Sequence, residues 1–184
     1  MGYYGDRGEE TITEASAPGT DFLATLCTQW EAAAAEASAV TRVAFVRTGI
    51  VLDRREGALA KMLLPFQLFA GGPLGSGRQY MPWIHKGDWA RLVAWIIQND
   101  GARGAVNATA PAPVTNAEFS RALGRALKRP SFMPAPALAL RLALGEMADA
   151  LLLSGQRALP ARAADLGFAF TFNNVDEALA DVLK

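Results

Sequence analysis

The chain has 184 residues, 51% of them hydrophobic and 20% charged, and its 18 basic and 18 acidic side chains cancel to a formal net charge of zero. This length and composition call for a folded core, either one domain or part of a two-lobed enzyme, and exclude a disordered chain. A neutral chain has no global field to draw it onto nucleic acid or an anionic membrane, and its single Cys27 and single His85 exclude a disulfide framework and a Cys- or His-based metal site.

Residues 1–14 have no basic segment followed by an apolar run, so they are not a signal peptide, and one free cysteine fits a reducing, cytoplasmic setting. Tyr3-Tyr4 followed by Gly5-Asp6 predicts a strand running out into a loop, although no strand precedes it. Asp21 opens a helix with Phe22, Leu26 and Trp30 on one face, continuing through alanines to about Ala37. Val43-Ala44-Phe45-Val46 then has the short apolar pattern of a strand buried on both faces of a parallel sheet, so helix and strand make half a βαβ unit.

Residues 57–68 read as a second helix, and residues 71–77, with four glycines and a proline, as a turn-rich loop before a strand over 79–85. A strongly amphipathic helix starts at Lys86 or Gly87, with Trp89, Leu92, Val93, Ile96 and Ile97 on one face, and ends near Asn99-Asp100-Gly101. Residues 104–109 read as another strand. Thr115 and Glu118 form the capping box of the next helix, which carries Phe119, Leu123 and Leu127. From Pro130 short helices alternate with turns, and the apolar stretches 134–144 and 148–153 are too short to span a membrane and read as core. Residues 175–183 form a last amphipathic helix.

Six segments in order carry a resemblance: Gly2-Tyr3-Tyr4-Gly5; Asp21-Phe22-Leu23-Ala24 with Cys27 and Trp30-Glu31; Arg47-Thr48-Gly49-Ile50-Val51-Leu52; Gly71-Gly72-Pro73-Leu74-Gly75-Ser76-Gly77; Trp83-Ile84-His85 with Asp88; and Ser154-Gly155-Gln156-Arg157 with Leu159-Pro160. Together they resemble the epimerase-like branch of extended short-chain dehydrogenases/reductases that carries a small C-terminal domain of unknown function. The match is expected to cover the C-terminal two-thirds of such a protein, leaving out the strand, Gly-rich turn and helix that hold the cofactor pyrophosphate. The loop at 71–77 is no substitute, since it follows a helix and precedes a strand.

The resemblance implies that Thr48, Gly49, Ile50 and Val51 border the nicotinamide and its ribose. It also implies two losses. The family's catalytic Tyr falls on Leu23 and its Lys on Cys27, so the phenol and ammonium that exchange a proton with substrate are not at those positions. The Arg-Asp pair that grips a nucleotide-sugar diphosphate falls on Met81 and Pro82, with Arg78 the nearest candidate for an anion contact. Tyr4 at a strand end and His85 are weak alternative catalytic candidates, each with a packing or capping reading beside it. Arg78, Trp83 and His85 would line a substrate cleft if one forms, and Arg47 reads equally as a cofactor contact or a strand-end ion pair.

The expected fold is α/β, the C-terminal portion of a Rossmann-like parallel sheet of two or three strands with a mixed substrate lobe and a small helical C-terminal domain. The expected divisions are 1–52, 53–130 and 131–184. The expected function is that of an NAD(P)-dependent oxidoreductase or epimerase-like protein, truncated at its N-terminus and inactive as it stands, using NADP in its full-length form on a small carbonyl or hydroxyl substrate. The alternative is a non-catalytic dinucleotide-binding or partner-binding module. No metal, nucleic acid or membrane is expected, and an open sheet edge would favour self-association.

Overall fold

The computed structural model describes residues 1–184. Its centre is one extended segment that changes partner midway. β2 (Ala44–Thr48) pairs in parallel with β6 (Gly104–Ala108), and β3 (Ile50–Leu52), one residue further on, pairs in parallel with β5 (Trp83–His85). Gly49 is the residue between them. Its N–H donates to the Ala108 carbonyl at 3.1 Å, on the β6 side, while the next N–H, of Ile50, donates to the Pro82 carbonyl at 2.6 Å, on the β5 side. A Cβ at position 49 would run into that Pro82 carbonyl, so only glycine lets the two backbones approach this closely.

Two cores grow from the two pairs. Around β2 and β6, side chains of α3 (Lys86–Gln98) and α7 (Ala161–Asp165) enclose Val106, Ala108, Leu92, Ile96, Ala163 and Phe168. Around β3 and β5, α2 (Gly57–Gln67), α4 (Asn116–Leu127) and α8 (Val175–Val182) bury Leu52, Trp83, Leu63, Phe119, Leu123 and Leu179. α4 starts where the sequence sets it: the Thr115 hydroxyl accepts from the Glu118 N–H at 3.3 Å, and the Glu118 carboxylate accepts from the Thr115 N–H at 2.7 Å.

Four expectations are corrected. The span 79–85 is not one strand, because Pro82 cannot donate to a ladder; β4 (Tyr80–Met81) pairs antiparallel with β7 (Val114–Thr115) and β5 pairs elsewhere. Residues 1–6 form no strand; the first is β1 (Thr11–Ile12), parallel to β8 (Arg157–Ala158). α1 (Phe22–Ala35) turns the face of Phe22 and Trp30 outward, at 78% and 68% exposed, and buries Ala24 instead. α5 (Ala137–Leu144) buries none of its residues, and from α6 (Glu146–Ala148) through the following π-helical turn Asp149–Leu153 only Ala148 is buried, so these stretches are surface, not core.

Gly49→Ala is expected to lower the unfolding free energy by about 1–3 kcal/mol through the forced displacement of the Pro82 peptide. The measurement is the urea midpoint at constant m-value; an unchanged midpoint would show that the partner switch does not depend on glycine.

Candidate functional site

A cavity of about 630 Å³ opens where three pieces of chain meet: residues 1–6, the start of α1, and the segment 146–156. The start of α1 is fixed by Asp21, whose Oδ1 accepts from the Ala24 N–H at 2.8 Å. Gly5, in the left-handed region at φ 65°, lies against the same carboxylate, where a Cβ would come within 2.8 Å of Asp21 Oδ2. Gln156 closes the third side. Its Nε2 donates to the Gly5 carbonyl at 2.7 Å, and its Oε1 is buried without a hydrogen-bond partner. Apolar side chains of Phe22, Leu23, Met147, Leu151 and Leu153 complete most of the wall.

Leu23, at the position the family's tyrosine takes by resemblance, therefore faces this cavity. Cys27 lies one helical turn further along, where a Cβ on Gly2 would be 3.2 Å from its Sγ. Burial pushes the Cys27 thiol pKa up, so it stays protonated at neutral pH and does not replace an ammonium.

A buried polar network holds the wall in place. Arg47, at the end of β2, donates to Glu31 of α1 through Nε at 2.8 Å and Nη2 at 2.7 Å, and to the Tyr4 hydroxyl at 2.7 Å. Its guanidinium also lies 3.3 Å from the centre of the Tyr3 ring. Burial opposes its charge, but the bonds to Glu31 and Tyr4 prevail and hold Arg47 above its ordinary pKa. The Tyr4 hydroxyl donates to Asn107 Oδ1 at 2.8 Å; burial raises its pKa, against the lowering effect of Arg47. Asn107 continues the chain of bonds, donating from Nδ2 to the Leu159 carbonyl at 3.0 Å and from its N–H to Glu14 at 2.8 Å. Of the two readings of Arg47, the ion pair is the one observed.

The remaining candidates do not converge. Tyr4 is fully enclosed, with both hydroxyl bonds made inside the chain, so it serves the network instead of presenting a proton to solvent. Trp83 belongs to the core around β3 and β5, its Nε1 donating to the Ala112 carbonyl at 3.1 Å. Arg78 is solvated and pairs with Glu9 at 3.1 Å. His85 caps α3, its Nδ1 accepting from the Gly87 N–H at 3.0 Å, while its ring stacks on Phe172 with centroids 3.9 Å apart. Its Nε2 stands 3.3 Å from Asp181 Oδ2, close but out of hydrogen-bond alignment. The expected cleft of Arg78, Trp83 and His85 is therefore not formed.

Thr48 accepts from the Trp89 indole N–H at 3.2 Å, while the Ile50 side chain packs against the core around β3 and β5 and that of Val51 against the core around β2 and β6. The glycine-rich loop at 71–77 is laid against 133–135: the Gly75 N–H donates to the Ala135 carbonyl and the Ala135 N–H to the Pro73 carbonyl, both at 2.9 Å. A Cβ on Gly72 would strike the Met133 backbone, so its glycines serve chain-to-chain packing, not a phosphate. The sequence reading missed the cavity because Gln156 and Asp21 carry no motif of their own; Gln156 was visible only as part of the Ser154-Gly155-Gln156-Arg157 segment.

Solved structures and sequences place this geometry. The crystal structure of human epimerase family protein SDR39U1 (isoform 2) with NADPH matches at TM-score 0.93 and 39% identity, over 98% of this chain and 61% of that one. The nucleoside-diphosphate sugar epimerase from Corynebacterium glutamicum matches at TM-score 0.75 and 35% identity, over 98% of this chain and 35% of that one. The fold is thus the Rossmann-like α/β fold of epimerases and short-chain dehydrogenases. Residues 135–182 match the model of DUF1731, a domain of unknown function. Across its whole length the chain is 44% identical to the chloroplastic SDR39U1 homolog of Arabidopsis thaliana, an epimerase family protein, and spans 53% of it. Over nearly its whole length the chain is similar to this epimerase-like family of extended short-chain dehydrogenases/reductases. It spans 53 to 60% of the curated relatives, a smaller share than the expected two-thirds.

Arg47→Met is expected to cost about 3 kcal/mol, because Glu31 and Tyr4 lose their buried partner; a chemical-denaturation series that includes the Glu31→Gln and double variants measures the coupling. A second expectation concerns pH. Burial holds His85 below its ordinary 6.5, against the pull of Asp181. As pH falls, the unfolded chain takes up this proton first, so stability present above pH 6.5 declines below it. His85→Gln is expected to flatten that slope in unfolding measured between about pH 5.5 and 7, above the carboxylate range.

Proposed function

We propose that this chain forms the substrate-side portion of an NAD(P)-dependent, epimerase-like oxidoreductase, with the cavity between α1 and residues 146–156 as its substrate cleft. The observation that carries the reading is Leu23: the helix position from which the family's tyrosine would act opens into the cavity between α1 and residues 146–156. The NADPH in the human relative's structure supports NADP as the cofactor. Thr48, Gly49, Ile50 and Val51 would border the nicotinamide; the N–H groups of 49 and 50 are already bonded inside the sheets, so Thr48 and apolar contact are what the segment offers. The pyrophosphate contacts fall to residues outside these 184, because the glycine-rich loop is otherwise engaged.

The dinucleotide, when bound, supplies the hydride; the chain's own residues orient a small carbonyl or hydroxyl compound and exclude water from it. A cytoplasmic setting, inactivity of the 184 residues alone, and self-association through the open edges of the two-stranded sheets belong to the same proposal. A second reading, a non-catalytic dinucleotide-binding module, is favoured by one observation: neither Leu23 nor the protonated Cys27 thiol can exchange a proton with substrate at neutral pH.

NADPH titrated into the isotope-labelled chain is expected to shift the amides of residues 48–51 and Leu23, with a Kd of about 1 mM or weaker in the absence of pyrophosphate contacts. Shifts centred on residues 71–77 would overturn the placement. Consumption of NADPH across a panel of carbonyl compounds by the chain extended to the length of its relatives separates the readings, since a binding module consumes none.

A further inference from the structure

The cavity is strongly one-sided in charge. Asp6, Asp21, Glu146 and Asp149 line it, and none of its 15 lining residues is Lys, Arg or His. Arg141, paired with Asp149 at 2.8 Å, stands outside the lining. The one basic group there is the α-amino group of Met1, and burial lowers its pKa. The start of α1 would ordinarily attract an anion, but Asp21 already occupies it as the cap. Asp6 is likewise engaged, accepting from the Gly8 and Gly155 N–H groups at 3.3 Å.

Phosphate and diphosphate groups are held in proteins by guanidinium forks, ammonium groups and free backbone N–H donors. A diphosphate in this cavity would meet four carboxylates in the lining, only Asp149 of them neutralised, by Arg141 from outside it, and no cationic side chain of the lining itself. What the wall does offer is an acceptor. Gln156 is 9% exposed, its Nε2 is committed to the Gly5 carbonyl, and its Oε1 has no donor within the chain. The lining adds the carboxylates of Asp6, Asp21, Glu146 and Asp149, acceptors suited to a hydroxyl or amine of a bound molecule.

We infer that the cleft takes an apolar small molecule bearing a hydroxyl or amine, uncharged or cationic, and rejects phosphorylated and nucleoside-diphosphate substrates. The inference rests on the cavity being the substrate site. It separates this chain from sugar-nucleotide chemistry on the charge of its own wall, independently of Met81 and Pro82.

Three matched probes test it: benzyl alcohol, benzylamine and benzyl phosphate, titrated into the labelled 184-residue chain and followed at the Gln156 side-chain amide and the Leu23 and Leu153 backbone amides. The alcohol and amine are expected to move these resonances, and the phosphate to bind at least about tenfold more weakly. Glu146→Lys, at an exposed rim position without a side-chain bond, is expected to narrow that gap; an unchanged gap would remove the electrostatic cause. Benzyl phosphate binding at the same resonances as tightly as the alcohol would overturn the charge selection and leave the cleft as a ligand site. Failure of all three probes to move any cavity resonance would remove both the cleft and the inference.

Discussion

Arg47 ties the first third of the chain to the sheet. Its guanidinium reaches Glu31 on α1, the Tyr4 hydroxyl and the face of Tyr3 from a position on β2 that is itself held by β6. Few apolar contacts fix α1: its outward face carries Phe22 and Trp30, and Ala24 is its one buried residue. A directional, charged anchor does what a hydrophobic face does for the other helices. Two of the three pieces that wall the cavity, residues 1–6 and the start of α1, are located by this anchor, so the cleft depends on a charge buried some distance from it.

The partner switch at Gly49 has a comparable role for the rest. Because β2 continues into β3 while its neighbour changes from β6 to β5, a single extended segment serves two cores on opposite sides. Ile50 and Val51, adjacent in sequence, point into different cores, as the two-residue period of an extended chain requires. The segment is thus packed on both faces, with β2 held along one edge by β6 and β3 by β5.

Much of the fold was legible because local chemistry and tertiary packing agreed. The capping box at Thr115 and Glu118, the amphipathic pattern of α3 and the apolar run of β2 all correspond to elements found there. Where they disagreed, the reading failed for identifiable reasons. The spacing of Phe22, Leu26 and Trp30 marked an apolar face but could not show that a salt bridge would dock the opposite one. Trp83 and His85 looked like cleft residues because polar-aromatic residues beside a helix start are common at sites; both are instead consumed by the core and the cap. The cavity itself was invisible, since Asp21, Leu23 and Gln156 are brought together from positions more than 130 residues apart with no shared motif.

Helix α8 enters the same core as β3 and α2. Val175, Ala178, Leu179 and Val182 of α8 pack with Leu52, Leu59 and Leu63, and β1 at residues 11–12 waits for a partner at 157–158. This core therefore cannot close during synthesis until Val182 has cleared the ribosome, and β1 stays unpaired until residues 157–158 have followed it. Contacts that span nearly the whole chain also raise its contact order and slow its folding. Apolar strands that must wait in the open are natural clients for chaperones that bind extended segments.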